Sequence, residues 1–191
     1  FTPLFRNHSA DGTRLQELYQ FDNIASAAEM IKIRYALIPY LYSEFLKAAL
    51  NDEMMFRPLA FDFPEDNTAK QAEDQLFLGN ELMIAPIYKQ NAQGRYVYLP
   101  EEMMMISMKS VSDYTAAVLP AGHHYVEVPL DTLVFFIRKG KATPFGAAAD
   151  NTSQIDMSAL RLLGYDGSTY ELYSDNGYSP EPEYSLKITT L

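Results

Sequence analysis

Residues 24–51, IASAAEMIKIRYALIPYLYSEFLKAALN, carry the strongest periodicity in the chain. Apolar or aromatic side chains recur at Ile24, Ala28, Ile31, Tyr35, Ile38, Tyr42, Phe45 and Ala49. Steps of four and three keep one face of an α-helix. Between Tyr35 and Tyr42 the stretch is apolar nearly all round, which predicts burial on more than one side. Ser26 and Glu29 have the spacing of a capping box, so the helix is predicted over 26–50, with Asn51 and Asp52 ending it. Pro39 removes the backbone bond to Tyr35, so a kink is expected there.

Upstream, residues 1–23 read as irregular, with a polar cluster at Arg6-Asn7-His8-Ser9 and a turn at Asp11-Gly12. Downstream the period changes. Residues 56–63 (FRPLAFDF) alternate loosely around Pro58 and predict an edge or bulged strand. Residues 68–78 predict a short helix capped by Thr68 and Gln71 and stopped by Gly79. Strands are then predicted over 82–88, 94–99, 103–108, 116–119, 125–130 and 133–138, punctuated by Gln93-Gly94, Ala121-Gly122 and Pro129-Leu130-Asp131. Residues 141–157 are small and polar and read as a surface loop. Strands at 159–165, 169–173 and 185–190 follow. Asp166-Gly167 reads as a hairpin turn, and Asp175-Asn176-Gly177 as a turn before Pro180 and Pro182. Short strands at this spacing argue for an antiparallel β-sandwich, so the fold class is mixed α and β.

Composition narrows the functions. Among 191 residues, Lys and Arg number 15 and Asp and Glu 25, a formal charge of −10. Such a chain repels phosphate backbones and anionic lipid, so neither nucleic acid nor a membrane is expected as partner, while a neutral sugar remains open. There is no cysteine, hence no disulfide and no thiolate metal site. No apolar run approaches the ~20 residues of a membrane span. A Gly-rich phosphate loop, HExxH and GxSxG are all missing. His8, His123 and His124 lack helical metal-ligand spacing, so no metal and no cofactor is expected. His123-His124 reads as the polar start of a strand. Met103, Met104, Met105 and Met108 alternate and read as core filling. The Arg6-Asn7-His8 cluster stands apart. A guanidinium beside an imidazole suits orienting a carboxylate and bonding sugar hydroxyls. The plainer alternative is a packed histidine next to a structural ion pair.

Several segments, taken together, resemble glycoside hydrolase family 31. Residues 1–9 (FTPLFRNHS) are similar to its F-Y-P-F-x-R-N-H-N segment. Further matches come in the family's order at 33–42 (IRYALIPYLY), 56–59 (FRPL), 74–86 (DQLFLGNELMIAP), 95–100 (RYVYLP), 136–140 (FIRKG) and 170–177 (YELYSDNG). That family holds α-glucosidases, α-xylosidases and α-glucan lyase.

The resemblance implies that residues 1–52 are the C-terminal end of a (β/α)₈ catalytic barrel, with its last strand ending near Phe5 and helix 26–50 closing it. Residues 53–150 would form the proximal C-terminal β-sandwich. Residues 151–191 would form a linker and further strands, ending that sandwich or starting a distal domain. Barrel active sites lie at the C-terminal ends of the strands, which puts the Arg6–His8 loop at the site. His8 then looks like a residue that hydrogen-bonds the hydroxyls of the terminal glucose. Arg6 looks like a supporting residue for the acidic groups, and Asn7 is left between binding and a structural role. The family's nucleophile lies in a W-x-D-M-N-E-like segment and its acid/base in a later strand end. Both are expected upstream of residue 1, and this chain has no tryptophan and no D-M-N-E. No catalytic residue is therefore assigned here. Retaining hydrolysis needs two carboxylates about 5–5.5 Å apart. The expected partners are an α-glucoside or oligosaccharide and the missing N-terminal and barrel portion of the same enzyme. The competing reading is a stand-alone carbohydrate-binding or scaffolding β-sandwich; the wide apolar faces of helix 26–50 favour a barrel wall over a sandwich edge.

Overall fold

The first helix, α1, runs over Ile24–Asn51 of the computed structural model, two residues earlier than the sequence predicts. Asn23 is its N-cap without a side-chain bond, so Ser26 and Glu29 lie inside the first turns and form no capping box. Glu29 instead pairs with Lys32 at 2.8 Å. A capping box forms upstream, between Glu17 and Gln20 around the 3-10 turn Leu18–Gln20. The helix passes through the buried Pro39 and ends where Asp52 takes a left-handed φ of 55°. The structure describes residues 1–189 except 3, 9, 13, 15, 177 and 179–182, with the backbone alone over 183–189. Pro3, Ser9, Gly177, Pro180, Pro182 and Thr190, all used in the sequence reading, lie outside the described residues.

The chain continues through β1 (Phe56–Pro58), α2 (Leu59–Asp62), α3 (Asn67–Gln71), β2 (Leu76–Leu78), β3 (Leu82–Ile84), β4 (Gly94–Leu99), β5 (Met103–Met108) and β6 (Tyr114–Leu119). Then follow β7 (Gly122–Glu127), β8 (Leu133–Arg138), β9 (Ala142–Phe145), β10 (Arg161–Gly164), β11 (Thr169–Ser174) and β12 (Glu183–Thr189). Six strands make one sheet in the order β1-β2-β3-β8-β5-β6, and β4–β7, β9–β10 and β11–β12 form two-stranded pairs. Every pairing is antiparallel.

Four expectations are corrected. The strand over 56–63 stops at Pro58, whose ψ of 148° makes it the N-cap of α2. The helix over 68–78 shrinks to α3, because Asp66 rather than Thr68 caps it, accepting from the N–H groups of Thr68 and Ala69. Residues 76–78 leave it to pair with β1 and β3, a tertiary gain that local propensity does not register. The loop over 141–157 contains β9, buried at all four residues and paired to β10. Asp166-Gly167 makes a turn, but β10 and β11 do not pair across it; each joins a different strand.

The six-stranded sheet is covered on both faces, and its alternation sorts the side chains. Leu78, Leu82, Ile84, Ile106, Phe135 and Ile137 face α1 and the β9–β11 region. Phe77, Met83, Met103 and Phe136 face the β4–β7 ribbon. Met103 and Met108 are fully buried on opposite faces, and Met104 and Met105 are partly buried against them. Core filling is thus the role of this run. Each fully buried apolar side chain of this size contributes roughly 1.5–3 kcal/mol.

α1 is fastened to the β domain by a buried polar cluster. The Tyr40 hydroxyl donates to the Leu78 carbonyl at 2.5 Å and lies 3.2 Å from Glu81 Oε2. The Tyr170 hydroxyl donates to Glu44 Oε1 at 2.5 Å, and Lys47 donates to the same oxygen at 2.8 Å. Ser43 Oγ accepts from the Tyr173 N–H at 2.8 Å. The backbone adds a bond from the Gly146 N–H to the Ala36 carbonyl at 2.8 Å. Burial, then the nearby Glu44 carboxylate, pushes the Glu81 carboxyl up from 4.5 to about 7. Gly79 makes the approach possible. Its φ is +61°, and a Cβ there would overlap Glu44 Oε2 and the Tyr40 hydroxyl.

Replacing Gly79 with alanine combines a left-handed backbone with that overlap, and should cost about 3 kcal/mol in urea unfolding. Glu81 gives a pH signature. Because its pKa is raised on folding, its contribution is full below about 4.5 and is lost as pH rises through about 7. Glu81→Gln should therefore match the parent near pH 4.5 and exceed it at pH 8, by at most roughly 3 kcal/mol. Denaturation midpoints at the two pH values read this directly, and a variant weaker at both would refute it.

Candidate functional site

The segment ahead of α1 carries the candidate site residues. Its described residues form no strand before the 3-10 turn at Leu18–Gln20. Among the described residues, none of the segment ahead of α1 pairs in a sheet. Contacts to the sheet and to α1 hold the segment instead. Phe1 is partly buried, with its ring edge-on to Phe135 at 5.7 Å. Arg34 reaches back from α1, donating to the Thr2 carbonyl at 2.6 Å and lying 5.6 Å from the centre of the Phe5 ring. Asn7 Nδ2 donates to the Gln16 carbonyl at 2.8 Å, which closes the loop on itself. That bond is structural in kind.

Arg6 and His8 are brought together. Both are exposed, and Arg6 Nη2 lies 2.7 Å from His8 Nδ1. A guanidinium has donors only, so Nδ1 must accept, and the ring proton of the neutral imidazole sits on Nε2. The pair thus presents the ring donor Nε2–H beside the remaining N–H groups and the fixed positive charge of the guanidinium. Chemically, such a pair can donate hydrogen bonds to any nearby oxygen acceptor. His123 and His124 are elsewhere, on β7, where His123 packs against Tyr98 at 4.9 Å and His124 Nε2 lies 2.8 Å from the Pro120 carbonyl. Among the described residues, no group of three or more His, Cys, Asp or Glu is placed to hold a metal ion. No helix among them is long and apolar enough to cross a membrane.

A cleft of about 380 Å³ opens between this segment and α1, lined by Phe1, Phe5, Ala27, Met30, Arg34 and Leu133 among others. It is largely apolar and holds neither Arg6 nor His8. Sequence reasoning missed Arg34 as the anchor of the loop. The available signal was a guanidinium at the edge of the apolar stretch of α1, flanked by Ile33 and Tyr35, where a cation needs a partner.

Two family models match the chain side by side. Residues 1–44 match the glycosyl hydrolases family 31 TIM-barrel domain, and residues 52–142 match the glycosyl hydrolase family 31 C-terminal domain. The chain belongs to glycoside hydrolase family 31. It is 32% identical over 93% of its length to alpha-glucosidase 2 of Bacillus thermoamyloliquefaciens, covering 22% of that protein. It is 30% identical over 94% of its length to mouse lysosomal alpha-glucosidase, covering 21%. The chain therefore spans about a fifth of the length of the curated relatives it matches. Among solved structures, an α-xylosidase of the family from a soil metagenome, complexed with xylose, is 30% identical with a TM-score of 0.56. That likeness covers 66% of this chain and 18% of the other. A dextranase of the family from Flavobacterium johnsoniae, complexed with glucose, has a TM-score of 0.66 at 23% identity. It covers 85% of this chain and 20% of that one, and shows the fold.

If Arg34 anchors the loop, Arg34→Ala should raise amide hydrogen exchange at the described residues of 1–8 about ten-fold. Global stability should change by only about 1 kcal/mol. Exchange unchanged within two-fold would show that the Phe1 contact suffices.

Proposed function

We propose that this chain is the C-terminal portion of a retaining α-glucosidase that removes terminal α-linked glucose from oligosaccharides. In this reading residues 1–52 close the catalytic barrel, 53–150 form the proximal β domain, and 151–191 extend it. The observation that carries the proposal is the collinear match to the family's barrel and C-terminal domains, with the relatives above named as α-glucosidases over more than nine-tenths of the chain. The nucleophile and the acid/base would come from the barrel portion upstream. What this chain adds is binding and support.

His8 would donate from Nε2 to a hydroxyl of the terminal sugar, and Arg6 would hold the imidazole in that tautomer. A donor fixed in advance loses little on binding, and it aids turnover to the extent that its bond tightens in the transition state. α1 would wall the barrel. Its outward residues Ile24, Tyr42 and Phe45 are exposed in this chain, as a surface awaiting neighbours would be.

In the full-length enzyme, His8→Ala should lower kcat/KM about ten- to hundred-fold, a loss of roughly 1–3 kcal/mol in transition-state binding, with Tm unchanged. Kinetics equal to the parent's would remove His8 from the sugar site.

A further inference from the structure

The β4–β7 ribbon carries two aromatic pairs on the side turned away from the core. Val97, Leu99 and Val126 point inward and are buried. By the two-residue period of a strand, Tyr96, Tyr98, His123 and Tyr125 point outward. Tyr96 lies opposite Tyr125, and Tyr98 opposite His123. The Tyr96 and Tyr125 rings meet at 5.2 Å with planes 71° apart, forming an aromatic corner. Tyr96 is 72% exposed and Tyr125 56%, so neither ring is spent on the core. A Cβ on Gly94 would lie 2.4 Å from the Val126 carbonyl oxygen and 3.0 Å from the Tyr125 hydroxyl oxygen, so the bare glycine lets β7 approach closely where the Tyr125 ring ends.

Tyr125 also walls a groove of about 1070 Å³ on the side of residues 84–93. Three side-chain amides line it, those of Gln90, Asn91 and Gln93, with one charge of each sign, Lys89 and Glu127. Its charges cancel, while the whole chain carries −10. An anion is disfavoured, and a neutral polyhydroxylated ligand is matched. A pyranose offers an apolar C–H face to a ring and hydroxyls to amides around it, which is the chemistry this corner and groove present.

We propose that the Tyr96–Tyr125 corner and its groove bind neutral oligosaccharide, with one sugar ring against Tyr125, Tyr96 as a side wall, and the amides on the neighbouring hydroxyls. The inference rests on the glycosidase reading for its ligand class. The groove is lined by β7, residues 84–93 and 128–134, and Phe1, and neither Arg6 nor His8 is among its lining residues.

The test is electrophoresis of the full-length protein through gels containing soluble starch or dextran, with hydrolysis of 4-nitrophenyl α-glucoside measured in parallel. The parent should be retarded by one of the two polysaccharides. The double variant Tyr96→Ala, Tyr125→Ala should bind it about ten-fold more weakly, and Tyr125→Phe should bind within about two-fold of the parent. All should hydrolyse the aryl glucoside equally. If the double variant does not fold, Gln90→Ala with Gln93→Ala replaces it, with a loss of about three-fold expected. Unchanged retardation in the folded variant overturns the proposal. So does a parent retarded by neither polysaccharide, the outcome if a protein surface covers this face. Retardation that the variants lose, with no aryl-glucoside hydrolysis by the parent, keeps the saccharide site and overturns the glycosidase reading instead.

Discussion

The seam between α1 and the β domain is the constraint on which the rest depends. Ile33, Ala36, Leu37 and Tyr40 leave almost no exposed surface, and they pack against both the six-stranded sheet and β9–β11. Apolar packing alone would tolerate sliding of a helix along such a seam. The Tyr40, Ser43 and Glu44 bonds do not, because each reaches fixed partners, Leu78 and Glu81 for Tyr40, Tyr173 for Ser43 and Tyr170 for Glu44. Buried polar groups are costly unless paired, and a shift of one helical turn would break all of these bonds between α1 and the β domain together. The cluster sets register more than it adds stability.

A second consequence concerns the segments that carry the family resemblance. Most of them hold the β domain together. Arg57 of FRPL makes a two-point bond to Asp62, at 3.0 and 3.1 Å, and reaches the Gly79 carbonyl and Asn80. Arg138 of FIRKG joins Asp62 at 2.5 Å and Glu101 at 2.6 Å, with its guanidinium 4.5 Å above the Phe77 ring. Burial pushes the Asp62 carboxyl up, but the bonds from the two arginines outweigh it and hold the pKa below the ordinary value. Gln75 of DQLFLGNELMIAP bonds both the N–H and the carbonyl of Tyr98, at 2.8 and 2.7 Å, and Asp74 pairs with Arg95 at 2.6 Å. The DQ and RYVYLP segments therefore zip to each other and fix the ribbon over the sheet.

The sequence made the helix, the strongly alternating strands and the mixed class legible, because those follow from side-chain period alone. β4, β5 and β8 fall at the predicted residues. What was not legible needed a partner to exist first. β9 reads Ala-Thr-Pro-Phe, with no alternation, because both of its faces are buried. Residues 76–78 have a helix-compatible pattern and become a strand only through β1 and β3. The capping box at Ser26 failed because the helix starts two residues ahead of it, at Ile24. At the candidate site, residue type pointed to Arg6 and His8. Their mutual bond, and the tautomer it dictates, came only with coordinates.

These levels meet in how the opening segment is placed. Its anchors are Phe1 on Phe135 of β8 and Arg34 of α1, one on the sheet and one on the helix. The distance between those anchors is fixed only while the polar seam keeps α1 in register. The placement of the segment that carries Arg6 and His8 therefore depends on a cluster that includes Glu81, a carboxyl poised to change charge near pH 7. One helix and one loop thus tie the Arg6–His8 pair to the polar seam of the β domain.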